Sequence, residues 1–125
     1  MKILVVDDET DIKTLFEQRF RKEIRDGLLN FVFAFSGEEA LKYMQDYEHE
    51  AVLILSDINM PGMSGLELLK RIKTKYATPP PIVMMITAYG DEGNYNEAMK
   101  LGADDFLTKP VDFSTLKEKL NNIGA

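Results

Sequence analysis

The chain has 125 residues, 45% of them hydrophobic, and a formal net charge of −6, which suits one globular domain. The absence of cysteine excludes disulfides, thiolate metal sites and a cysteine nucleophile, and the acidic charge argues against direct nucleic-acid binding. The N-terminal apolar run is too short for a signal peptide, and no stretch reaches the roughly 18 apolar residues of a membrane span. We therefore expect a single cytoplasmic domain over residues 1–125 with no membrane contact.

Five short apolar runs recur along the chain and predict five strands. The first four are almost uninterrupted, as is typical of strands that are buried on both faces of a parallel sheet. The fifth is shorter and more polar, which predicts an edge strand. The predicted strands are Ile3–Val6, Phe31–Phe35, Ala51–Leu55, Ile82–Ile86 and Asp105–Thr108.

The stretches between and after these runs show helical spacing and predict five helices. One apolar face is marked by Ile12, Leu15, Phe16, Phe20 and Ile24, and similar faces start at Leu66 and Phe113. Three helix starts carry a Ser/Asn-x-x-Glu capping pattern, at Ser36, Ser64 and Asn94, and Gly102 is expected to end the helix that Asn94 opens. Pro79–Pro81 is expected to stop the preceding helix. Strand and helix alternate five times, which predicts one α/β domain with a parallel sheet.

Five polar side chains follow four of the five predicted strands. They are Asp7 and Asp8 after the first strand, Asp57 after the third, Thr87 after the fourth and Lys109 after the fifth. Taken singly, each has an ordinary structural explanation as a helix cap, a turn residue or a solvated loop residue. The carboxyl ends of parallel strands share one edge, however, and ligands bind there in open α/β sheets. We therefore expect these side chains to converge on one site.

The chemistry of such a site calls for a cation. Two carboxylates ~4 Å apart repel each other by roughly 4 kcal/mol at an effective dielectric constant near 20. Lys109 supplies one positive charge against three carboxylates. Mg²⁺ prefers carboxylates, waters and phosphate oxygens as ligands, and a carboxylate beside it can attack phosphorus. Lys109 would neutralise charge during transfer, and the Thr87 hydroxyl can donate to a phosphoryl oxygen.

With these motifs together, the sequence resembles the receiver domain of two-component response regulators, of the chemotaxis type. The resemblance runs from Lys2 to about Ile123. It is carried by Val5-Val6-Asp7-Asp8-Glu9, Leu55-Ser56-Asp57-Ile58-Asn59-Met60-Pro61-Gly62-Met63-Ser64-Gly65, Ile86-Thr87-Ala88 and Gly102-Ala103-Asp104-Asp105-Phe106-Leu107-Thr108-Lys109-Pro110.

The resemblance implies a five-stranded sheet of order 2-1-3-4-5 with five helices on its two faces, a flavodoxin-like doubly wound fold. It implies that Asp57 is the phospho-acceptor and that Mg²⁺, or Mn²⁺ in its place, is held by Asp7, Asp8, Asp57 and the backbone carbonyl of Asn59. Lys109, Thr87 and the N–H group of Ala88 would contact the phosphate. The Lys109–Pro110 bond is expected to be cis.

The resemblance also implies a signalling cycle. The phosphoryl donor would be a histidine kinase or a histidine phosphotransfer protein, and an unidentified downstream protein would read the result. Thr87 and Phe106 would form the switch, although Phe106 stands where tyrosine is frequent. Asn59 and Tyr89 would tune the lifetime of the phosphate, and we expect the Tyr89 ring to lengthen it.

Two other functions stay open from the residues alone. A phosphatase of the haloacid-dehalogenase type also uses an aspartyl nucleophile and Mg²⁺, but it needs a second aspartate two residues later, where this chain has Asn59. A pseudo-receiver would be an interaction module with an inactive site. We expect a switch that catalyses only its own phosphorylation and dephosphorylation, and so is not an enzyme in the usual sense.

Overall fold

The computed structural model of the chain describes residues 1–47, 53–76, 81–88 and 91–123. Its centre is a five-stranded sheet in which every neighbouring pair is parallel. The strand order is β2-β1-β3-β4-β5, as expected. The strands are β1 (Lys2–Val6), β2 (Asn30–Ala34), β3 (Leu53–Asp57), β4 (Ile82–Thr87) and β5 (Asp105–Thr108).

The described residues contain six helices, so the expectation of five is wrong. The predicted first helix is divided at Phe20, whose backbone leaves helical values at φ −108° and ψ 23°. The Phe20 ring is fully buried against those of Phe16, Phe31 and Phe113, and this core packing takes precedence over helical continuity. The helices are α1 (Asp11–Arg19), α2 (Arg21–Arg25), α3 (Gly37–Asp46), α4 (Gly65–Lys75), α5 (Glu92–Lys100) and α6 (Phe113–Asn122).

The strands bury both faces because their side chains alternate between two hydrophobic clusters. In β1, Leu4 and Val6 join the cluster under α3, α4 and α5, whereas Ile3 and Val5 join the cluster under α1 and α6. The sheet is therefore covered on both sides, which is the doubly wound arrangement predicted. The edge strand β2 is only partly buried, unlike the central strands.

Two of the three predicted helix caps are confirmed. The hydroxyl oxygens of Ser36 and Ser64 accept from the backbone N–H three residues later. The third is wrong, since α5 starts two residues before Asn94 and Asp91 accepts from the Asn94 N–H at 3.2 Å. Asp competes with Asn as a cap, and the earlier residue captures the free donor. Gly102 ends α5 as expected, with φ at +94°.

The predicted face of the first helix is only partly confirmed. Phe16 and Phe20 are fully buried, but Leu15 and Ile24 are exposed. Ile24 lies beyond the interruption at Phe20, which ends the helical phase on which the prediction rested, whereas Leu15 lies before it in α1. The predicted start of the third strand at residues 51–52 lies outside the described residues, and so do Pro79 and Pro80.

Candidate functional site

Four strand ends meet at the carboxyl edge of the sheet. Asp57 is the last residue of β3 and Thr87 the last of β4, while Asp7 and Lys109 directly follow β1 and β5. Strands β1 and β3 are neighbours in the sheet, and Val6 pairs with Ser56, so Asp7 and Asp57 come next in the same register. The Lys109 backbone N–H donates to the Thr87 carbonyl at 2.8 Å, which holds the segment after β5 beside the end of β4. The predicted convergence is therefore present.

Three carboxylates cluster at this edge of the sheet. Asp7, Asp8 and Asp57 each place one oxygen within 4.8 Å of the others. Asp7 and Asp57 are buried and Asp8 is exposed. Burial raises the pKa of Asp7 above its ordinary value, and the charge of Asp57 adds to this, although the Glu9 N–H donates to Asp7 Oδ1 at 2.9 Å and opposes it. The cluster therefore carries uncompensated negative charge in a partly dehydrated place.

Lys109 supplies the positive charge at the cluster. Its Nζ donates to Asp57 Oδ2 at 2.7 Å, and the Asp57 side chain is only 4% exposed. Burial lowers the pKa of Lys109, but the hydrogen bond and the charge of Asp57 outweigh that effect, so the pKa is raised above its ordinary value. In the part of the chain that the structure describes, one ammonium group therefore faces three carboxylates at this edge, which leaves an excess of negative charge.

The donor set fits a hard divalent cation. Three carboxylates within reach of one another, with one exposed to solvent, are the oxygen ligands that Mg²⁺ accepts together with water. Asn59 lies two residues beyond Asp57 in the loop before α4, and its side chain is exposed. The carboxylates that could hold the ion are therefore Asp7, Asp8 and Asp57. Ligation by the Asn59 carbonyl is implied by the resemblance and stays a prediction.

The loop after Asp57 is fixed by Gly65, a residue to which the sequence analysis gave no role. The Gly65 N–H donates to the Ile58 carbonyl at 2.7 Å. A Cβ atom at this position would lie 2.0 Å from the Asp57 carbonyl oxygen and 2.7 Å from Ile58 Cα. Only glycine lets the start of α4 approach the backbone of Asp57 so closely. The sequence signal that could have predicted this role is a glycine at a helix start soon after an aspartate that ends a strand.

Thr87 and Phe106 share the α5 side of the sheet. Phe106 pairs with Met85, whose side chain lies in the cluster on that side, and Thr87 comes two residues later on the same face. Thr87 is buried, while Phe106 is partly buried and packs its ring 4.4 Å from that of Tyr95 between centroids. Ala88, next along the chain, is exposed at the edge. Tyr89 lies outside the described residues.

Comparison with known proteins agrees with this geometry. The model of the response regulator receiver domain family matches residues 3–121. The chain belongs to this family. It is similar to a response regulator receiver domain protein from Clostridium thermocellum, with 32% identity, 97% of this chain and 91% of that chain covered, and a TM-score of 0.83. A receiver protein from Pseudomonas putida shares 28% identity over 97% and 95% of the chains, with a TM-score of 0.83.

A chemotaxis protein, CheY4 of Vibrio cholerae, is also similar, at 28% identity over 97% and 96% of the two chains with a TM-score of 0.80. The resemblance that the motifs indicated is therefore confirmed. The chain is a receiver domain of two-component signalling, with an acidic pocket of the kind through which receiver domains bind Mg²⁺. The Lys109–Pro110 bond is cis, as the resemblance implies. Among the described helices, none has the length and apolar character needed to cross a bilayer.

Proposed function

We propose that the chain is a phosphorylation-controlled switch that accepts a phosphoryl group on Asp57 from a phosphohistidine. The observation that carries the proposal is the buried Asp57 carboxylate, held at 2.7 Å by Lys109 beside two further carboxylates. An Asp57 oxygen forms the bond to phosphorus as the phosphorus–nitrogen bond of the donor breaks, and the imidazole leaves with a proton. The product is an acyl phosphate on Asp57.

The other side chains of the edge have assignable roles. Lys109 stays within reach of the oxygens of Asp57 and neutralises charge that develops on the phosphoryl group. The Thr87 hydroxyl and the Ala88 N–H donate to phosphoryl oxygens. Asp7, Asp8, Asp57 and the Asn59 carbonyl hold the metal. Mg²⁺, when bound, offsets the surplus negative charge of the carboxylates and of the incoming phosphate.

The switch in this proposal uses Thr87 and Phe106. Phosphate draws the Thr87 hydroxyl towards the edge, and the partly buried Phe106 ring turns into the space that is vacated. Both side chains lie on the face covered by α5, and Phe106 touches Tyr95 on that helix. The affected surface is then α5, β5 and α6, which a downstream protein reads. This is a shift between two packings of one core.

A groove beside the site suits the phosphodonor. It has a volume of about 610 Å³ and runs from Asp7 and Lys109 along α1. Ile12, Leu15 and Phe113 line it. Leu15 is 39% exposed, which gives a docking protein an apolar contact next to the acceptor. A histidine kinase or histidine phosphotransfer protein that covers this groove can bring its phosphohistidine to the edge.

A haloacid-dehalogenase-type phosphatase is disfavoured because Asn59 stands where that chemistry needs a proton-transferring aspartate. In the present proposal Asn59 instead helps to orient the water that hydrolyses the acyl phosphate. Turnover of a small phosphate ester in excess of the protein would favour the phosphatase. A lack of any labelling would favour the pseudo-receiver.

The test is labelling by acetyl phosphate with Mg²⁺, followed by intact mass spectrometry. Wild-type protein should gain one phosphoryl group, and Asp57→Asn should gain none. The matched control is Asp104→Asn, which removes a carboxylate that is also bonded to a lysine and should leave labelling intact. Labelling of Asp57→Asn at the wild-type level would refute the acceptor assignment.

The metal assignment is tested by titration calorimetry. Asp8→Ala should weaken Mg²⁺ binding and slow labelling, because it removes one of three clustered oxygen ligands. Exposed Asp46, at the end of α3, provides the control substitution Asp46→Ala. Equal Mg²⁺ affinity in wild type and Asp8→Ala would remove Asp8 from the ligand set.

A further inference from the structure

A second groove lies away from the phosphorylation edge, between α3 and α4. Its volume is about 780 Å³. Glu38, Leu41, Lys42 and Gln45 line it from α3, at the i, i+3, i+4, i+7 spacing of one helix face. Residues of α4 form the opposite wall. The groove is therefore a channel between two helices that are both fixed on the sheet.

The floor of this α3–α4 groove is apolar. Leu41 and Met63 are partly buried and pack against the hydrophobic cluster beneath, and the Tyr76 ring is buried at one end. Methionine adapts its shape to different contacts, which suits a surface that receives apolar side chains. A partner could thus place a row of apolar residues on this floor.

The walls are basic although the chain is acidic. The whole chain has 15 basic and 21 acidic side chains. Among the residues that the structure describes, Lys42, Lys70, Arg71 and Lys75 line this groove against Glu38 and Glu67 alone. Arg71 bonds Glu67 at 2.9 Å, so that pair is neutral. Among the described residues, Lys42 and Lys70 make no hydrogen bond or ion pair, and the Lys75 ammonium lies 5.5 Å from the centre of the Tyr76 ring. Three ammonium groups thus face the groove against one carboxylate.

We propose that the α3–α4 groove binds an acidic amphipathic helix of a partner protein. Its apolar face would rest on Leu41, Met63 and Tyr76, and its carboxylates would meet Lys42, Lys70 and Lys75. The wall from Glu38 to Gln45 is about 10 Å long at 1.5 Å per residue, which fits a helix of two to three turns. The α3–α4 groove would be a second binding surface, separate from the one used by the proposed switch. The proposal for this groove does not depend on phosphorylation of Asp57.

Other occupants fit less well. A second copy of the chain, related by a two-fold axis through the groove, would bring like charges together. A nucleic acid would meet the Glu38 and Glu67 carboxylates on the walls and an apolar floor instead of further cations. The combination of apolar floor and basic walls instead matches an acidic peptide.

The test uses fluorescence anisotropy with the full chain and a labelled synthetic helix of about 14 residues, roughly four turns. One peptide carries a leucine face and glutamates elsewhere, and a reference peptide has lysines in place of the glutamates. The acidic peptide should bind, with an affinity that falls as salt is added. Binding should persist in Asp57→Asn, so failure of the phosphorylation proposal and failure of this one are distinguishable.

The decisive variant is Lys42→Glu/Lys70→Glu. It should weaken binding by about tenfold or more, since two attractions become two repulsions, each comparable to a surface ion pair. The control Arg21→Glu/Lys22→Glu makes the same charge change at exposed positions of α2 and should bind like wild type. In amide spectra, Leu41, Gln45 and Thr74 should respond to the peptide.

Three results would overturn the proposal. They are the absence of binding by the acidic peptide, equal binding by the lysine peptide, and equal weakening by the two double variants. Dimerisation of the protein at the peptide-binding concentrations would instead assign the groove to a second copy of the chain. An oligonucleotide that displaces the peptide from wild type, but not from Lys42→Glu/Lys70→Glu, would assign it to a nucleic acid.

Discussion

Two lysine–aspartate pairs in this domain have the same length and different surroundings. Lys109 meets Asp57 at 2.7 Å, and Lys73 meets Asp104 at 2.7 Å. Asp104 Oδ2 also accepts from the Val83 N–H at 2.8 Å, and Lys73 also donates to the Pro81 carbonyl. That second pair ties α4 to the start of β4, and its carboxylate is 42% exposed.

The pair at the carboxyl edge is surrounded differently. Asp57 is 4% exposed and has Asp7 and Asp8 within reach, so one lysine faces three carboxylates. The comparison shows that the length of an ion pair does not identify a functional site. What identifies it is surplus negative charge, which a bound cation would have to balance.

The largest expected effect is on the rate of phosphorylation. Lys109→Ala should slow labelling of Asp57 by about 10²-fold or more, which is the typical loss when one preorganised charge stabiliser is removed. Lys73→Ala removes the other lysine and should change the rate by less than about twofold, since it touches no reacting atom. Time courses with acetyl phosphate and Mg²⁺ measure both. Similar rate losses in the two variants would erase the distinction between the pairs.

The next largest effect concerns the backbone around the acceptor. Gly65→Ala should lower the free energy of unfolding by about 2 kcal/mol or more, because its Cβ would overlap the Asp57 carbonyl oxygen. A Cβ atom at Gly93, inside α5, would meet no atom of the described residues within 4 Å, and Gly93→Ala should instead stabilise by about 0.5–1 kcal/mol. Urea unfolding at fixed Mg²⁺ compares them. A neutral Gly65→Ala would mean that the loop has room to move.

Smaller effects on stability are expected when Asp7 or Asp104 is changed to asparagine, and the two effects should have opposite signs. Without divalent ions, Asp7→Asn should raise stability by about 1 kcal/mol, because it removes a buried charge next to Asp57 and keeps the acceptor for the Glu9 N–H. Asp104→Asn should lower stability, since it weakens bonds to Lys73 and Val83. Thermal unfolding in chelator measures both changes, and a loss of stability in Asp7→Asn would contradict the account.

The pH dependence sharpens this prediction. The pKa of Asp7 is raised in the folded protein, so between its ordinary value of 3.8 and the raised value the folded state holds more protons than the unfolded state. Stability from this group is present below that window and is lost as the pH rises through it. Asp7→Asn should lack this loss. A stability difference between the two proteins that does not change across the window would contradict the assigned cause.

The smallest expected effect is at the switch. Thr87→Ala should still be phosphorylated, but the amide shifts at Phe106 and along α5 should move less than in wild type. Thr108, which pairs with Thr87 and is exposed, offers the control Thr108→Ala. Full-sized shifts at Phe106 in Thr87→Ala would show that the Thr87 hydroxyl does not drive the change.

The sequence was sufficient for the sheet and the edge because both depend on regular features. Buried parallel strands appear as apolar runs, and parallel order brings strand ends such as Asp7, Asp57 and Lys109 together. Features set by tertiary packing were missed. The break at Phe20 depends on rings contributed by β2 and α6, and the role of Gly65 depends on how closely α4 approaches β3. The sequence pattern predicted Asn94 as the cap of α5, whereas the cap is Asp91. Pattern alone does not distinguish two capping residues that lie so close together.

The most direct test of the central claim is chemical location of the acyl phosphate in wild-type protein. Borohydride reduces an aspartyl phosphate to homoserine, which peptide mass spectrometry assigns to one position without any mutation. After acetyl phosphate and Mg²⁺, the account predicts homoserine at position 57, and unchanged aspartate at positions 7, 8 and 104. Homoserine at position 104, or at no aspartate in protein that has gained a phosphoryl group, would contradict it.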